Sequence, residues 1–136
     1  MKRIQLSLNS TWSLQDWKAL ALGKASITLD PQSQARVEAN RRALLARVAN
    51  GDVLYGVNTG FGSLCTTVIP SNALGALQTN LIRSHAAGTG SEIGPELVRL
   101  MLATKVRALS KGFSGIEGST LAALNALLTE DILPCI

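Results

Sequence analysis

Apolar and polar residues alternate at the start of the chain, with Ile4, Leu6 and Leu8 on one side and Arg3, Gln5 and Ser7 on the other. That period of two predicts a short strand over 3–8 with one buried face. Ser13-Leu14-Gln15-Asp16 has the spacing of a capping box, and Leu14, Trp17 and Ala21 then recur at helical intervals until Gly23 closes the segment. Ser26-Ile27-Thr28-Leu29 alternates again and is β-branched enough to pair with the first strand. Two short strands cannot stand alone, so a small sheet packed on helices is expected.

Asp30-Pro31 joins a capping oxygen to a proline at the first helical position and marks a helix start. Val37, Leu44, Leu45 and Val48 share one stripe, but Asn40 and Arg41 interrupt it, which predicts partial burial up to Asn50-Gly51. A further helix is expected from Pro70-Ser71, with Leu74, Leu77, Leu81 and His85 on one face, ending at Gly88 and Gly90. Gly94-Pro95-Glu96 opens another. Its apolar residues, Leu97, Val98, Leu100, Met101, Leu102, Val106 and Leu109, spread round the circumference and predict burial on most sides before Gly112 stops it. Ser114-Gly115-Ile116-Glu117 is a second capping-box pattern, followed by a stripe of Leu121, Leu124, Leu128 and Ile132 up to Pro134.

Between these helices, residues 52–70 fit neither period. Glycines 51, 56, 60 and 62 fall close together, and Asn58, Thr59, Ser63, Thr66 and Thr67 interleave with Val57, Phe61 and Leu64. A long glycine-rich loop of this kind is costly unless function or a neighbour orders it. The fold class is therefore mainly α, with a two-stranded β element near the N-terminus and one long loop. No repeat, linker or low-complexity tract breaks the chain, so residues 1–136 are expected to form one unit. The apolar helix at 95–110 finds few elements to pack on, and the chain stops at Pro134-Cys135-Ile136 without a polar tail. Both are expected of the front part of a larger protein.

Composition narrows the function classes. Hydrophobic residues reach 46 %, which argues against disorder and for some apolar surface meant for a partner. The net charge of +4 comes from basic residues scattered along the chain, and Arg41-Arg42 is expected on a solvated helix face. With aromatics at 4 %, a stacking platform for single-stranded nucleic acid is absent, and no nucleic-acid partner is expected. Cys65 and Cys135 are far apart and signal neither zinc nor a disulfide, so reduced thiols are expected. Lys2-Arg3 leads into no apolar h-region, and no apolar run approaches the roughly 18 residues of a membrane span. The expectation is a soluble cytoplasmic protein with no metal and no membrane partner.

Two residues could carry proton chemistry near neutral pH, because each is the only one of its kind: Tyr55 and His85. Tyr55 reads either as a loop anchor or as an acid or base. Phenols titrate near about pH 10, so base work at neutral pH requires donors or positive charge around the oxygen. His85, on the apolar stripe of its helix, reads either as a satisfied core histidine or as a buried imidazole lining a pocket. A Cys65–His85 nucleophile–base pair lacks any recognisable context. The loop glycines match neither the G-x-x-x-x-G-K-[ST] nor the G-x-G-x-x-G phosphate motif.

Tyr55-Gly56-Val57-Asn58-Thr59-Gly60-Phe61-Gly62, followed by Leu81-Ile82-Arg83-Ser84-His85-Ala86-Ala87-Gly88, resembles the aromatic amino acid ammonia-lyases. The runs Lys111–Ile116 and Leu133–Ile136 resemble them too, and the likeness is strong over 50–136 and loose before that. It implies the helical N-terminal part of the ammonia-lyase fold and assembly as a homotetramer. It also implies an electrophilic cofactor, 4-methylidene-imidazol-5-one (MIO), formed from an internal Ala-Ser-Gly. Tyr55 would be the catalytic base and Gly56, Asn58, Thr59, Gly60, Phe61 and Gly62 its active-site loop. Ser84-His85 matches the pair found in histidine-specific members and would bind the substrate, implying conversion of L-histidine to trans-urocanate and ammonia.

The chain contains no Ala-Ser-Gly. By the resemblance it stops just before that tripeptide, so these residues alone are expected to be inactive, and the loop, with no electrophile to close over, is expected to be disordered or displaced. Two other readings fit the same residues: a related lyase or aminomutase acting on another aromatic amino acid, and a non-catalytic helical interaction module.

Overall fold

A computed structural model describes residues 1–136. The elements run β1 (Lys2–Leu6), α1 (Leu14–Ala21), β2 (Ala25–Leu29), α2 (Pro31–Ala49), α3 (Leu74–His85), α4 (Pro95–Leu109) and α5 (Gly118–Thr129). Short 3-10 turns cover Gly62–Leu64 and Ser71–Ala73. Although the sequence offers no linker, the chain packs as two compact units, Met1–Ala43 with Ser91–Ile136, and Leu44–Gly90.

In the first unit β1 and β2 pair in parallel, from Lys2 opposite Ala25 to Leu6 opposite Leu29, with α1 as the crossover. A parallel pair needs such a connection. Ile4 and Leu6 are buried as the alternation predicts, but the strand stops at Leu6. There Ser10 Oγ donates to Ser7 O at 2.9 Å and accepts from Ser7 N at 3.2 Å, a local turn that competes with the ladder.

The capping box of α1 forms: Ser13 Oγ accepts from Asp16 N at 3.2 Å, and Asp16 Oδ2 accepts from Ser13 N at 2.8 Å. Its buried residue is Leu20, whereas Leu14, at the outward-facing first helical position, is 82 % exposed. Trp17 turns instead to Trp12, edge to face with ring centroids 4.7 Å apart, and the Arg107 guanidinium lies 5.3 Å above the Trp12 ring. Asp30 caps α2 as expected, accepting from Ser33 N at 2.7 Å, and that bond holds its carboxyl below the usual range.

Of α2, only Ser33 and Val37 are buried. The polar break in its stripe has a purpose: Asn40 Oδ1 accepts from Gly115 N at 2.6 Å and Arg41 Nη1 donates to Gly115 O at 3.1 Å. Arg41 is therefore half-buried rather than part of a solvated face. Gly115 has φ +62°, which no right-handed helix accommodates, so the Ser114 capping box does not form and α5 starts at Gly118, capped by Glu117 without a side-chain bond.

Along α4 the apolar residues do not bury on most sides. Val98, Leu102, Val106 and Leu109 face the core, while Leu97 and Met101 on the opposite side stay about half exposed. Leu121 and Leu128 of α5 complete that core. Ile132, expected on the α5 stripe, is 61 % exposed, because the helix ends at Thr129 and Asp131 takes φ +56°. Arg99 grips Asp131 with two bonds, Nε to Oδ1 at 2.8 Å and Nη2 to Oδ2 at 3.1 Å. After α4 the chain turns at Gly112, φ +72°, where a Cβ would sit 3.0–3.1 Å from Arg36 and the Val37 backbone nitrogen.

Candidate functional site

Tyr55, Ser84, His85 and the whole glycine-rich loop fall in the second unit. The loop is held by its own hydrogen bonds, in place of the expected disorder. Asn58, 7 % exposed, is its organiser: Oδ1 accepts from Leu54 N at 2.7 Å, and Nδ2 donates to Asp52 O at 2.8 Å. Its main chain serves too, for Ile69 N donates to Asn58 O at 2.9 Å, beside an antiparallel bridge between Thr59 and Val68. Thr59, 1 % exposed, accepts from Gly56 N at 3.2 Å and donates to Gly60 O at 2.9 Å. Buried polar side chains are thus satisfied within the loop, as they must be when water is excluded.

Gly60 allows the closest approach in the loop: a Cβ there would lie 2.7 Å from Leu64 Cβ and 2.8 Å from Leu64 O. Gly56, at φ +73°, makes the turn that follows Tyr55. Leu54 O receives Val57 N at 3.1 Å and Asn58 N at 3.2 Å, so Tyr55 sits inside a closed turn. Its ring meets Phe61 edge to face, with centroids 6.1 Å apart. The residue itself is 66 % exposed, and its hydroxyl has no partner within the chain. Anchored by its backbone and free at its oxygen, Tyr55 is not the core-bound loop anchor that was one reading of it.

His85 is the last residue of α3, and it is exposed. Leu74, Leu77 and Leu81 on the same face are half-buried, but the helix ends before anything covers the imidazole, so within this chain it is neither a core histidine nor enclosed in a pocket. Its Nδ1 lies 2.8 Å from Leu81 O and 3.0 Å from Ser84 Oγ. No hydrogen bond joins His85 to Tyr55 or to Cys65, and Cys65 is a free, exposed thiol. No group of three or more His, Cys, Asp or Glu side chains is placed to hold a metal ion, and no helix is long and apolar enough to cross a membrane.

The structural duties of Asn58 and Thr59 were not distinguished from those of their neighbours in the sequence; short polar residues flanked by glycines are the signal for them. A separate groove of about 620 Å³ in the first unit, lined by Ile27, Leu29, Val37, Leu121 and Asn125 among others, corresponds to no sequence motif.

Comparison with known proteins identifies the family. The family model described as aromatic amino acid lyase matches residues 12–136, reaching well into the N-terminal part where the sequence likeness was loose. Histidine ammonia-lyase of Burkholderia ambifaria is 40 % identical over 124 residues, covering 91 % of this chain and 24 % of its own length. Histidine ammonia-lyase from Trypanosoma cruzi superposes with a TM-score of 0.80 at 36 % identity, covering 93 % of this chain and 24 % of that one. Tyrosine aminomutase from Streptomyces globisporus superposes with a TM-score of 0.89 at 28 % identity, covering 98 % of this chain and 26 % of that one. The chain thus spans about a quarter of the relatives it matches. The fold is that of the ammonia-lyases, and the chain belongs to the aromatic amino acid lyase family of carbon–nitrogen lyases.

Proposed function

We propose that these residues form the N-terminal part of a histidine ammonia-lyase, which eliminates ammonia from L-histidine to give trans-urocanate. The observation that carries this reading is the loop itself, which buries Asn58 and Thr59 and leaves the Tyr55 hydroxyl unpartnered. That arrangement suits a group that takes a proton from a bound molecule, with Tyr55 as the base at the substrate β-carbon and Ser84-His85 as reader of its imidazole. The free Tyr55 oxygen can still accept the donors that base work at neutral pH requires.

The family's electrophile, MIO, derives from Ala-Ser-Gly, and no such tripeptide occurs here. The residues present therefore cannot form the group, and it is to be supplied from outside these 136 residues. What this chain contributes is the proton acceptor, the ring-binding pair and the loop that holds Tyr55. Assembly as a homotetramer and a cytoplasmic location belong to the same proposal.

A second reading, an aminomutase acting on another aromatic amino acid, draws on the superposition with the Streptomyces globisporus enzyme. The test uses both the chain and the product of a reading frame continued through an Ala-Ser-Gly. Purified 1–136 should form no urocanate, and the longer protein should convert L-histidine in preference to L-phenylalanine or L-tyrosine. Tyr55→Phe in the longer protein should lower turnover by about 10²- to 10⁴-fold, as loss of a general base does. Near-normal turnover in that variant removes Tyr55 from the role, and β-amino acid formation without ammonia favours the aminomutase.

A further inference from the structure

The last turn of α3 holds a closed triangle of polar atoms. Ser84 Oγ donates to Leu81 O at 2.9 Å, His85 Nδ1 lies 2.8 Å from the same carbonyl, and Nδ1 lies 3.0 Å from Ser84 Oγ. A carbonyl oxygen has no proton to give, so the contact at 2.8 Å is a hydrogen bond only if Nδ1 carries the hydrogen. The single hydroxyl proton of Ser84 is directed to the carbonyl, which leaves a lone pair of Ser84 Oγ facing Nδ1–H. The carbonyl belongs to the helix C-terminus, whose partial negative charge further favours a donor there. With Nδ1 protonated, all three contacts are hydrogen bonds at once.

A neutral imidazole has one N–H, so Nε2 carries a lone pair, and it has no partner within the chain. We infer that Ser84 and the Leu81 carbonyl are positioning groups that hold His85 as its Nδ1–H tautomer, so that Nε2 is presented as a hydrogen-bond acceptor. Resting on His85 as the ring reader, this defines the substrate class: an amino acid whose ring brings a donor, as an imidazole N–H does, to Nε2. A phenyl ring would leave Nε2 unpaired, and sites built round such a bond reject analogues that lack it. Ser84 thereby acts on specificity through the orientation of His85.

Because His85 is the only histidine, its nitrogen resonances need no assignment by mutation. In ¹⁵N-labelled 1–136 at about pH 8.5, where an imidazole is ordinarily neutral, the two-bond proton–nitrogen pattern should show Nδ1 protonated and Nε2 bare. Ser84→Ala should lower the Nδ1–H to Nε2–H ratio about two- to fivefold, the effect of one modest hydrogen bond, and Ser84→Thr should restore it. An Nε2–H majority in the native chain overturns the inference, and an unchanged ratio in Ser84→Ala removes Ser84 from it. Should Ser84→Ala melt α3 by circular dichroism, the native spectrum still decides. The substrate preference of the longer protein is a separate readout: preference for L-phenylalanine would sink the role of His85 and leave the tautomer standing.

Discussion

Asn58→Ala tests the idea that the loop carrying Tyr55 is held by one side chain. The substitution removes two bonds, from Leu54 N at 2.7 Å and to Asp52 O at 2.8 Å, and neither backbone group has another partner. A net hydrogen bond is worth about 0.5–1.5 kcal/mol, and an unsatisfied buried group costs about 1–3 kcal/mol. Asn58 is 7 % exposed, but its two backbone partners lie nearer solvent, so about 2–4 kcal/mol of local stability should be lost. At about 1.4 kcal/mol per factor of ten, that is about a 30- to 1000-fold rise in opening. Hydrogen exchange of the Leu54 amide reads it directly, with the amides of α4 as an internal control. Asn58→Asp, which keeps the acceptor for Leu54 and loses the donor to Asp52, should fall between. Unchanged Leu54 protection in Asn58→Ala would refute the reasoning, because the amide would then owe its protection to something other than this side chain.

Core and surface leucines should separate cleanly. Leu6→Ala, at 0 % exposure, should lower unfolding free energy in urea by about 2–5 kcal/mol, whereas Leu14→Ala, at 82 % exposure, should change it by less than about 0.5 kcal/mol. Asp16 predicts a pH signature. Lys2 Nζ at 2.6 Å and the Ser13 hydroxyl and amide lower its pKa to about 2. A carboxyl depressed in the folded state stabilises fully above its unfolded value and loses that contribution as pH falls through the folded one. The Tm deficit of Asp16→Asn should therefore be constant from neutral pH to about pH 5 and shrink between about pH 4 and pH 2. A deficit that persists undiminished at pH 2 would contradict the assignment.

Where local chemistry decides a boundary, the sequence was a good guide. Ser13 with Asp16, Asp30 before Pro31, Gly94 before Pro95 and Gly112 after α4 mark ends that the structure keeps. Most of the failures come from partners distant in sequence, although a local turn at Ser7–Ser10 ends β1 early. Ser114 and Glu117 have capping-box spacing, but Asn40 and Arg41, some 75 positions away, hold Gly115 in a conformation that excludes the helix. Periodicity placed Leu14 and Ile132 on buried stripes without showing where each helix meets its neighbour. The loop's identity was legible because its glycines and lone tyrosine form a long specific run. That Asn58 is buried and the Tyr55 hydroxyl free depends on how the loop folds back on itself, which no local pattern encodes.

The first compact unit is discontinuous, since Met1–Ala43 closes only with Ser91–Ile136. Its core joins Leu6 and Val37 to Val106, Leu121 and Leu128, so during synthesis the early apolar residues wait for the late ones. At about 5–20 residues per second, the stretch from Val37 to Leu128 takes the ribosome about 5–20 s. Over that interval Ile4, Leu6 and Ile27 have no helices α4 and α5 to cover them, and the parallel strand pair offers little stability of its own. Those early apolar residues stay uncovered for that interval, and slowing translation ahead of α4 would lengthen it.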